Sequence, residues 1–371
     1  ASRIQFISVS FSTISFLMHD SRLHIWLDAE RMKYPHTGLF HFCQQLGTAL
    51  VAEKSAAEDF TFYLPLKWDG YFGKDVHYVH QQIHHKWLLP AFGKIDVWHA
   101  MQQDSDYFPR HRVVSTVLTV HDLNFLHQPG KSSSDIKSAV NRLQTRVNRA
   151  QHIVTISEFV LRELQVHLQL KDIPTSVIYN GCNFSTVQPA RPQTVPDRSF
   201  IFTIGTVAAK KNFHVLPALL QNNDDWLIIA GVIQEESYLT KIKNEARRLG
   251  VESRIVFTGA VSEAEKQWYY SNCKAFVFPS LAEGFGMPVL EAMYFGKPVF
   301  LSTHTSLPEI GGSLAYYFES FDPAHMQAVL DKGLSHFAEV HPSANIRAHA
   351  SSFSWITAAR KYLEIYHRLA R

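Results

Sequence analysis

Two carboxylates, Glu283 and Glu291, flank a glycine turn in the stretch Phe278-Pro-Ser-Leu-Ala-Glu-Gly-Phe-Gly-Met-Pro-Val-Leu-Glu-Ala-Met293. The pattern predicts a buried strand ending at Phe278, a loop holding Gly284 and Gly286, and a helix whose first turn accommodates Pro288. Free N–H groups near Gly286, Met287 and Val289, together with the positive helix end, suit a diphosphate. Glycine lets a ligand approach the backbone closely, so Gly284, Phe285, Gly286 and Met287 read as a phosphate-facing turn. Glu283, before the turn, is placed to meet a hexose hydroxyl; Glu291, one helical turn inside, is placed to meet a ribose diol. Either glutamate alone is more simply a solvated side chain. The assembly is what points to a phosphate-bearing ligand.

Three further groups could serve the same ligand. Ile204-Gly-Thr-Val-Ala-Ala-Lys-Lys-Asn212 reads as a strand end, a tight turn at Gly205, and a cationic pair, Lys210 and Lys211, before a helix. Such a pair neutralises phosphate charge, although two lysines alone equally describe a solvated helix start. Thr119-Val-His-Asp-Leu123 sets His121 just past a buried strand, where ligands of open α/β sheets bind, with Asp122 placed to orient the imidazole. His77, His80, His84 and His85 crowd one segment, and His80 and His84 are expected to share a helix face. No HExxH pattern accompanies them, so no metal site is expected.

The elements that must carry these groups alternate. Short apolar runs at 23–27, 60–64, 97–98, 113–120, 153–154 and 176–179 are separated by helical patterns at 39–51, 134–150 and 158–168. After a Pro-rich segment at 184–198, strands at 200–204, 226–230, 255–257, 275–278 and 299–300 alternate with helices at 215–220, 237–249, 263–270 and 289–295. This predicts an α/β protein of two parallel sheets, each covered on both faces. The boundaries expected are 1–190, 191–353, and a terminal amphipathic helix 354–371 capped by Ser354. Residues 1–21 read as an extra strand or upstream extension, being too polar for an export signal.

Composition narrows the class. The chain has 371 residues, 46% hydrophobic and 19% charged, which is a globular protein of two domains. A net charge of +3 is too small for a general nucleic-acid binder. Three dispersed cysteines, Cys43, Cys182 and Cys273, predict neither zinc site nor disulfide framework, and favour a reducing, cytoplasmic compartment. Arg142, Arg146 and Arg149 form a basic stripe, read as a solvated face or as peripheral contact with the inner face of a membrane or a phosphorylated acceptor.

The segment EGFGMPVLEAM, with its E-x7-E spacing, resembles the donor-site signature of the large retaining glycosyltransferase family that contains sucrose synthase and many bacterial mannosyl- and glucosyltransferases, glycosyltransferase family 4 or glycosyl transferases group 1. The resemblance runs from about residue 23 to the C-terminus. It implies the GT-B architecture, two facing Rossmann-like domains with the C-terminal helix returning to the first. It implies a metal-independent enzyme that needs no cofactor and moves a hexose, with retention, from a nucleoside diphosphate sugar to a glycan, lipid-linked or small-molecule acceptor. Residue by residue, it assigns Lys211 to the diphosphate, His121 to the sugar or its phosphate, Glu283 to the sugar, and Gly38 to a glycine loop beside the phosphates. Gly259-Ala260-Val261 is similar to a segment that frames the base. Ser157-Glu158, Asn180-Gly181 and Leu307-Pro308-Glu309 match further family segments, for which capping, turn and structural roles compete. Thr206 departs from the family's frequent arginine, leaving Lys210 to supply a second cation. The neighbourhood of His121 resembles mannosyltransferases of surface polysaccharide assembly, a lean towards GDP-mannose.

Three other classes compete. A glycoside hydrolase would set Glu283 and Glu291 across a glycosidic bond, which a glycine turn and helix start do not suit. A dinucleotide oxidoreductase needs GxGxxG after a first strand, and neither half has it. A catalytically silent nucleotide-sugar-binding protein is the remaining alternative, distinguished by whether turnover depends on Glu283.

Overall fold

The computed structural model describes residues 22–35, 37–87, 89, 93–109, 114–127, 130–182, 187–193, 195 and 197–370. The reading of residues 1–21 lies outside them. Near-continuous apolar runs form the central strands, because each is buried on both faces. The first sheet contains β1 (Leu23–Asp28), β2 (Glu58–Leu64), β3 (His77–His80), β4 (Val97–Ala100), β5 (Ser115–Val120), β6 (His152–Thr155) and β7 (Thr175–Val177). Its helices are α1 (Gly38–Glu53), α2 (Ser133–Val147) and α3 (Glu158–His167). All neighbours pair in parallel, in the order β3-β2-β1-β4-β5-β6-β7.

The second half repeats the plan. Its strands are β8 (Phe200–Ile204), β9 (Trp226–Ala230), β10 (Ile255–Gly259), β11 (Ala275–Phe278), β12 (Val299–Ser302) and β13 (Tyr316–Phe318). They are parallel, ordered β10-β9-β8-β11-β12-β13. The helices are α4 (Glu236–Arg248), α5 (Glu263–Asn272), α6 (Met287–Tyr294), α7 (Leu307–Gly311), α8 (Pro323–Val340), α9 (Ser343–Ser352) and α10 (Trp355–Leu369). Strand order reverses beside β1 in one sheet and beside β8 in the other. A crevice therefore opens beyond the carboxyl ends of β1 and β4, and of β8 and β11.

The C-terminal helix returns to the first domain. Ser354 caps α10 by accepting the Thr357 N–H, and the helix packs against α1. A buried polar chain then ties it to the first sheet. Tyr366 OH meets His99 Nδ1 at 2.7 Å, His99 Nε2 meets Thr119 Oγ1 at 2.8 Å, and Thr119 Oγ1 meets Tyr362 OH at 2.9 Å. Burial holds His99 neutral, pushing it down to about 3. Trp355 seals the crossover, since a Cβ on Gly181 would lie 2.1 Å from its backbone nitrogen.

Some sequence expectations are corrected. Residues 213–220 form a 3-10 helix, not an α-helix, because Pro217 sits within them. His80 ends β3 while His84 belongs to a 3-10 turn over 83–86, so they share no helix face; His80 pairs with Asp69 at 2.8 Å. The arginine stripe, of which Arg142 and Arg146 lie on α2 and Arg149 just beyond it, is largely spent inside the chain. Arg146 donates to the Ser105 carbonyl at 2.9 Å and pairs with Asp106 at 3.2 Å, and Arg149 donates to the Pro109 carbonyl at 3.0 Å while covering the Phe108 ring.

Candidate active site

The strand-turn-helix unit expected around the two glutamates forms between β11 and α6. Gly286, at φ 104°, is the N-cap of α6, a left-handed position that an L side chain would strain. Pro288 occupies the first turn. The turn is held from behind by the segment after β12: Thr305 Oγ1 accepts the Glu283 N–H at 3.0 Å, and Ser306 Oγ donates to the Glu283 and Phe285 carbonyls, both at 3.0 Å. Sequence reasoning missed Thr305 and Ser306, since nothing local marks a hydroxyl pair that braces a loop some 20 positions earlier.

Glu283 and Lys211 meet. Lys211 is buried, lies over the Phe278 ring, and donates to Glu283 Oε1, which also accepts from Ser280 Oγ at 2.6 Å. A carboxylate with a cation and a hydroxyl on one oxygen is held in place as an acceptor. Its neighbour Lys210 anchors the turn through its carbonyl, which accepts the Leu281 N–H at 2.8 Å. Gly205 leaves room for the lysine: a Cβ there would stand 3.2 Å from Lys211 Cε.

Glu291 is held differently. Lys266 Nζ donates to Oε1 at 2.8 Å and Tyr270 OH to Oε2 at 2.8 Å, both from α5. Burial, followed by the Glu291 charge, drives the Tyr270 phenol far above its usual range, so it stays a donor. Facing this pair from the first domain is His41 on α1, which burial and then the Lys266 ammonium hold below its ordinary value. His41 was not singled out from sequence; a histidine inside an amphipathic helix carries no local signal. Gly38 starts α1, with open space around its Cβ direction and Thr37 capping the helix. Val261 follows β10, half-buried at the same rim.

His121 directly follows β5, and its carbonyl faces the second domain. Its Nε2 meets the Met101 carbonyl at 2.8 Å, its backbone N–H donates to Gln103 Oε1 at 3.0 Å, and Phe42 packs edge-on against its ring. Because a carbonyl only accepts, Nε2 carries the proton and Nδ1 is the ring's acceptor. Burial pushes the imidazole down to about 4, so it is neutral near pH 7. Asp122 does not orient this ring. Its Oδ1 accepts the Asn124 N–H at 3.0 Å, and burial, with Glu283 nearby, raises its carboxyl while Lys210 opposes the rise.

The domains touch here. A Cβ on Gly284 would lie 1.9 Å from the His121 carbonyl oxygen, so this glycine is required by the opposite domain. Close approach of the other domain is thus a second demand on this position, beside the close approach of a ligand expected from sequence. Ser157, the N-cap of α3, donates to the Gly284 carbonyl at 2.8 Å. Asn180 is buried beside the crossover, and no hydrogen bond of the described residues satisfies its Oδ1.

Two facing parallel α/β domains with a glycine-helix turn in the crevice define the GT-B class. Both halves match family models: "Glycosyltransferase Family 4" over residues 56–186 and "Glycosyl transferases group 1" over residues 186–336. The chain belongs to this glycosyltransferase family. Among curated relatives, the serotype-specific mannosyltransferase WbdA of Escherichia coli is 31% identical over 60% of this chain and 29% of its own length. The chain thus spans less than a third of that relative. The O-antigen chain mannosyltransferase B of the same organism is 26% identical over 71% of this chain and 72% of its own. Among solved structures, sucrose-phosphate synthase of Thermosynechococcus elongatus superposes with a TM-score of 0.73 at 17% identity, covering 94% of this chain and 99% of that one. Anabaena HepE in complex with UDP-glucose gives 0.67 at 17% identity, covering 94% and 100%.

Proposed function

We propose that the chain is a retaining, metal-independent hexosyltransferase that takes its sugar, mannose by the resemblance of its relatives, from a nucleoside diphosphate. The observation that carries this reading is the Lys211–Glu283 pair beside the Gly286 helix start. It sets a cation, backbone N–H groups and a carboxylate around one turn, which matches a ligand with a diphosphate at one end and hydroxyls at the other. Mannosyltransferases among the curated relatives support the sugar, and the UDP-glucose complex of HepE supports a nucleotide-sugar donor.

In the proposed reaction the bond between the anomeric carbon and the diphosphate oxygen breaks while the acceptor oxygen bonds to that carbon on the same face. The acceptor proton passes to the leaving diphosphate. Lys211 and the α6 N-terminus stabilise the charge that develops on the leaving group, with Lys210 as second cation. Glu283 accepts sugar hydroxyls and supports positive charge at the anomeric centre. Neutral His121 accepts a hydrogen bond from a sugar hydroxyl at Nδ1, which an imidazolium would not do. Glu291 takes the ribose diol, with Lys266 and Tyr270 fixing its geometry. Gly38 and Val261 frame the phosphates and the base.

The acceptor is a hydroxyl-bearing glycan, lipid-linked or small molecule reached from the first domain. Among the described residues no helix is long and apolar enough to cross a membrane. We place the enzyme in the cytoplasm, at glycan or polysaccharide assembly. Thermal-shift screening of nucleoside diphosphates and their sugars tests the donor site, because a ligand stabilises the state it binds. GDP and GDP-mannose are expected to raise Tm; no shift with any nucleotide contradicts the donor model.

A further inference from the structure

The first turn of α3 lies in the first domain, yet its backbone donors are satisfied largely from the second. Glu309, in α7, accepts the Glu158 N–H on Oε1 at 2.7 Å and the Phe159 N–H on Oε2 at 2.9 Å. The third donor, Val160 N–H, goes to the helix's own cap, Ser157 Oγ, at 3.2 Å. One carboxylate therefore fills two of the positions that every helix start leaves open, and adds a charge matched to the helix dipole. It also stands beside Tyr179 of the first domain, whose phenol is raised first by burial and next by a hydrogen bond with Glu309.

The same short segment reads the donor turn. Thr305 and Ser306 hold the backbone of Glu283 and Phe285, and α7 begins at Leu307, directly after them. From Thr305 to Glu309 the chain thus touches the sugar-facing carboxylate's backbone at one end and the opposite domain at the other. Ser157 closes the loop, donating to the Gly284 carbonyl within that turn.

We infer that Glu309 is a positioning residue, an interdomain latch that couples the seating of the Glu283–Phe285 turn to closure of the first domain on the donor. The link to the donor rests on the function proposed above; the latch itself does not. A charge-assisted bidentate contact of this kind favours the closed form by at least about tenfold in the open-to-closed ratio. Closing brings the His121 carbonyl against Gly284, which assembles the site. Loss of the latch should lower kcat more than it changes donor affinity, because the donor domain keeps Lys211, Glu283 and Glu291.

The test uses the full chain with spin labels at Lys137→Cys on α2 and Lys241→Cys on α4, both exposed; the three native cysteines are buried. Distance distributions are recorded for the parent, Glu309→Ala, Glu309→Gln and Ser157→Ala, with and without GDP, alongside GDP titration calorimetry. The latch predicts a new, displaced distance component in Glu309→Ala without GDP, a smaller one in Glu309→Gln, and a GDP affinity within about threefold of the parent. Glu309→Gln keeps side-chain size, so it reports even if Glu309→Ala folds poorly. Distributions identical to the parent in both Glu309 variants overturn the latch. GDP failing to bind any protein, parent included, counts against the donor reading, while the ligand-free distances still decide the latch.

Discussion

The two walls of the crevice handle charge in opposite ways. On the second domain the two glutamates of the turn are each paired with a lysine and a hydroxyl: Glu283 with Lys211 and Ser280, Glu291 with Lys266 and Tyr270. On the first domain burial shifts two groups towards their neutral forms. His121 is pushed down to about 4 and Asp28, at the end of β1, up to about 7, against which its hydrogen bond from Ser105 works. A diphosphate brings charge and needs compensating charge. An acceptor hydroxyl brings none and is better met by neutral donors and acceptors, which avoid a desolvation penalty. The asymmetry matches a donor wall and an acceptor wall.

The sharpest way to break this comparison is Glu283→Gln. The variant keeps shape but not charge, and turnover of a nucleotide sugar is expected to fall about a thousandfold, with nucleotide affinity changed far less. Steady-state kinetics with parallel calorimetry measures both; unchanged turnover would remove Glu283 from the chemistry, and a parent that binds the nucleotide sugar without turning it over would be a binder. Next is Gly284→Ala. Its Cβ collides with the His121 carbonyl, so the walls are held apart and turnover falls about a hundredfold, although each domain retains its own melting behaviour. A normal rate in this variant would mean that the closed contact is not the working one.

The neutral wall has a pH signature. His121 titrates near 6.5 unfolded and at about 4 folded, so the stability it confers is complete above pH 6.5 and is lost as pH falls towards 4. Asp28 acts in the reverse sense: its raised carboxyl costs stability as pH rises from 3.8 to about 7. Subtracting His121→Asn from the parent isolates the first effect. In urea melts the stability gap should move in favour of the variant by about 3 kcal/mol between pH 7 and pH 4. A gap that stays constant would show that His121 is not held neutral. The smallest effect expected is that of Tyr270→Phe, which removes one hydroxyl from Glu291 and should cost about 1.5 kcal/mol in the same melts while Lys266 remains.

How far the sequence reached follows the same division. The second-domain turn is local: a strand, a glycine turn and a helix start lie within sixteen residues, so the placement of Glu283, Gly286 and Glu291 about it was legible from spacing and backbone chemistry. His121 was legible by position, at the end of an apolar strand. Its protonation was not, because burial and the Met101 carbonyl that fixes its tautomer come from elsewhere in the sheet. Contacts between the domains were also hidden. Glu309 reaches Glu158 across 151 positions, and Gly284 owes its identity to a carbonyl on the other domain. Among elements, β3 was missed because its sequence, HYVH, is half polar as befits an edge, and β13 because it has three residues. The run 213–220 had the apolar content of a helix, but Pro217 turned it into 3-10 geometry.

The claim that the Gly284–Met287 turn and Lys211 form a diphosphate cradle is tested most directly by titrating GDP, UDP and ADP into the parent and into Lys211→Met by calorimetry. One nucleoside diphosphate is expected to bind the parent, and to bind the variant about tenfold or more weakly because a charge-assisted phosphate contact is gone. A nucleotide that binds both proteins equally, or no nucleotide binding the parent at all, would contradict it.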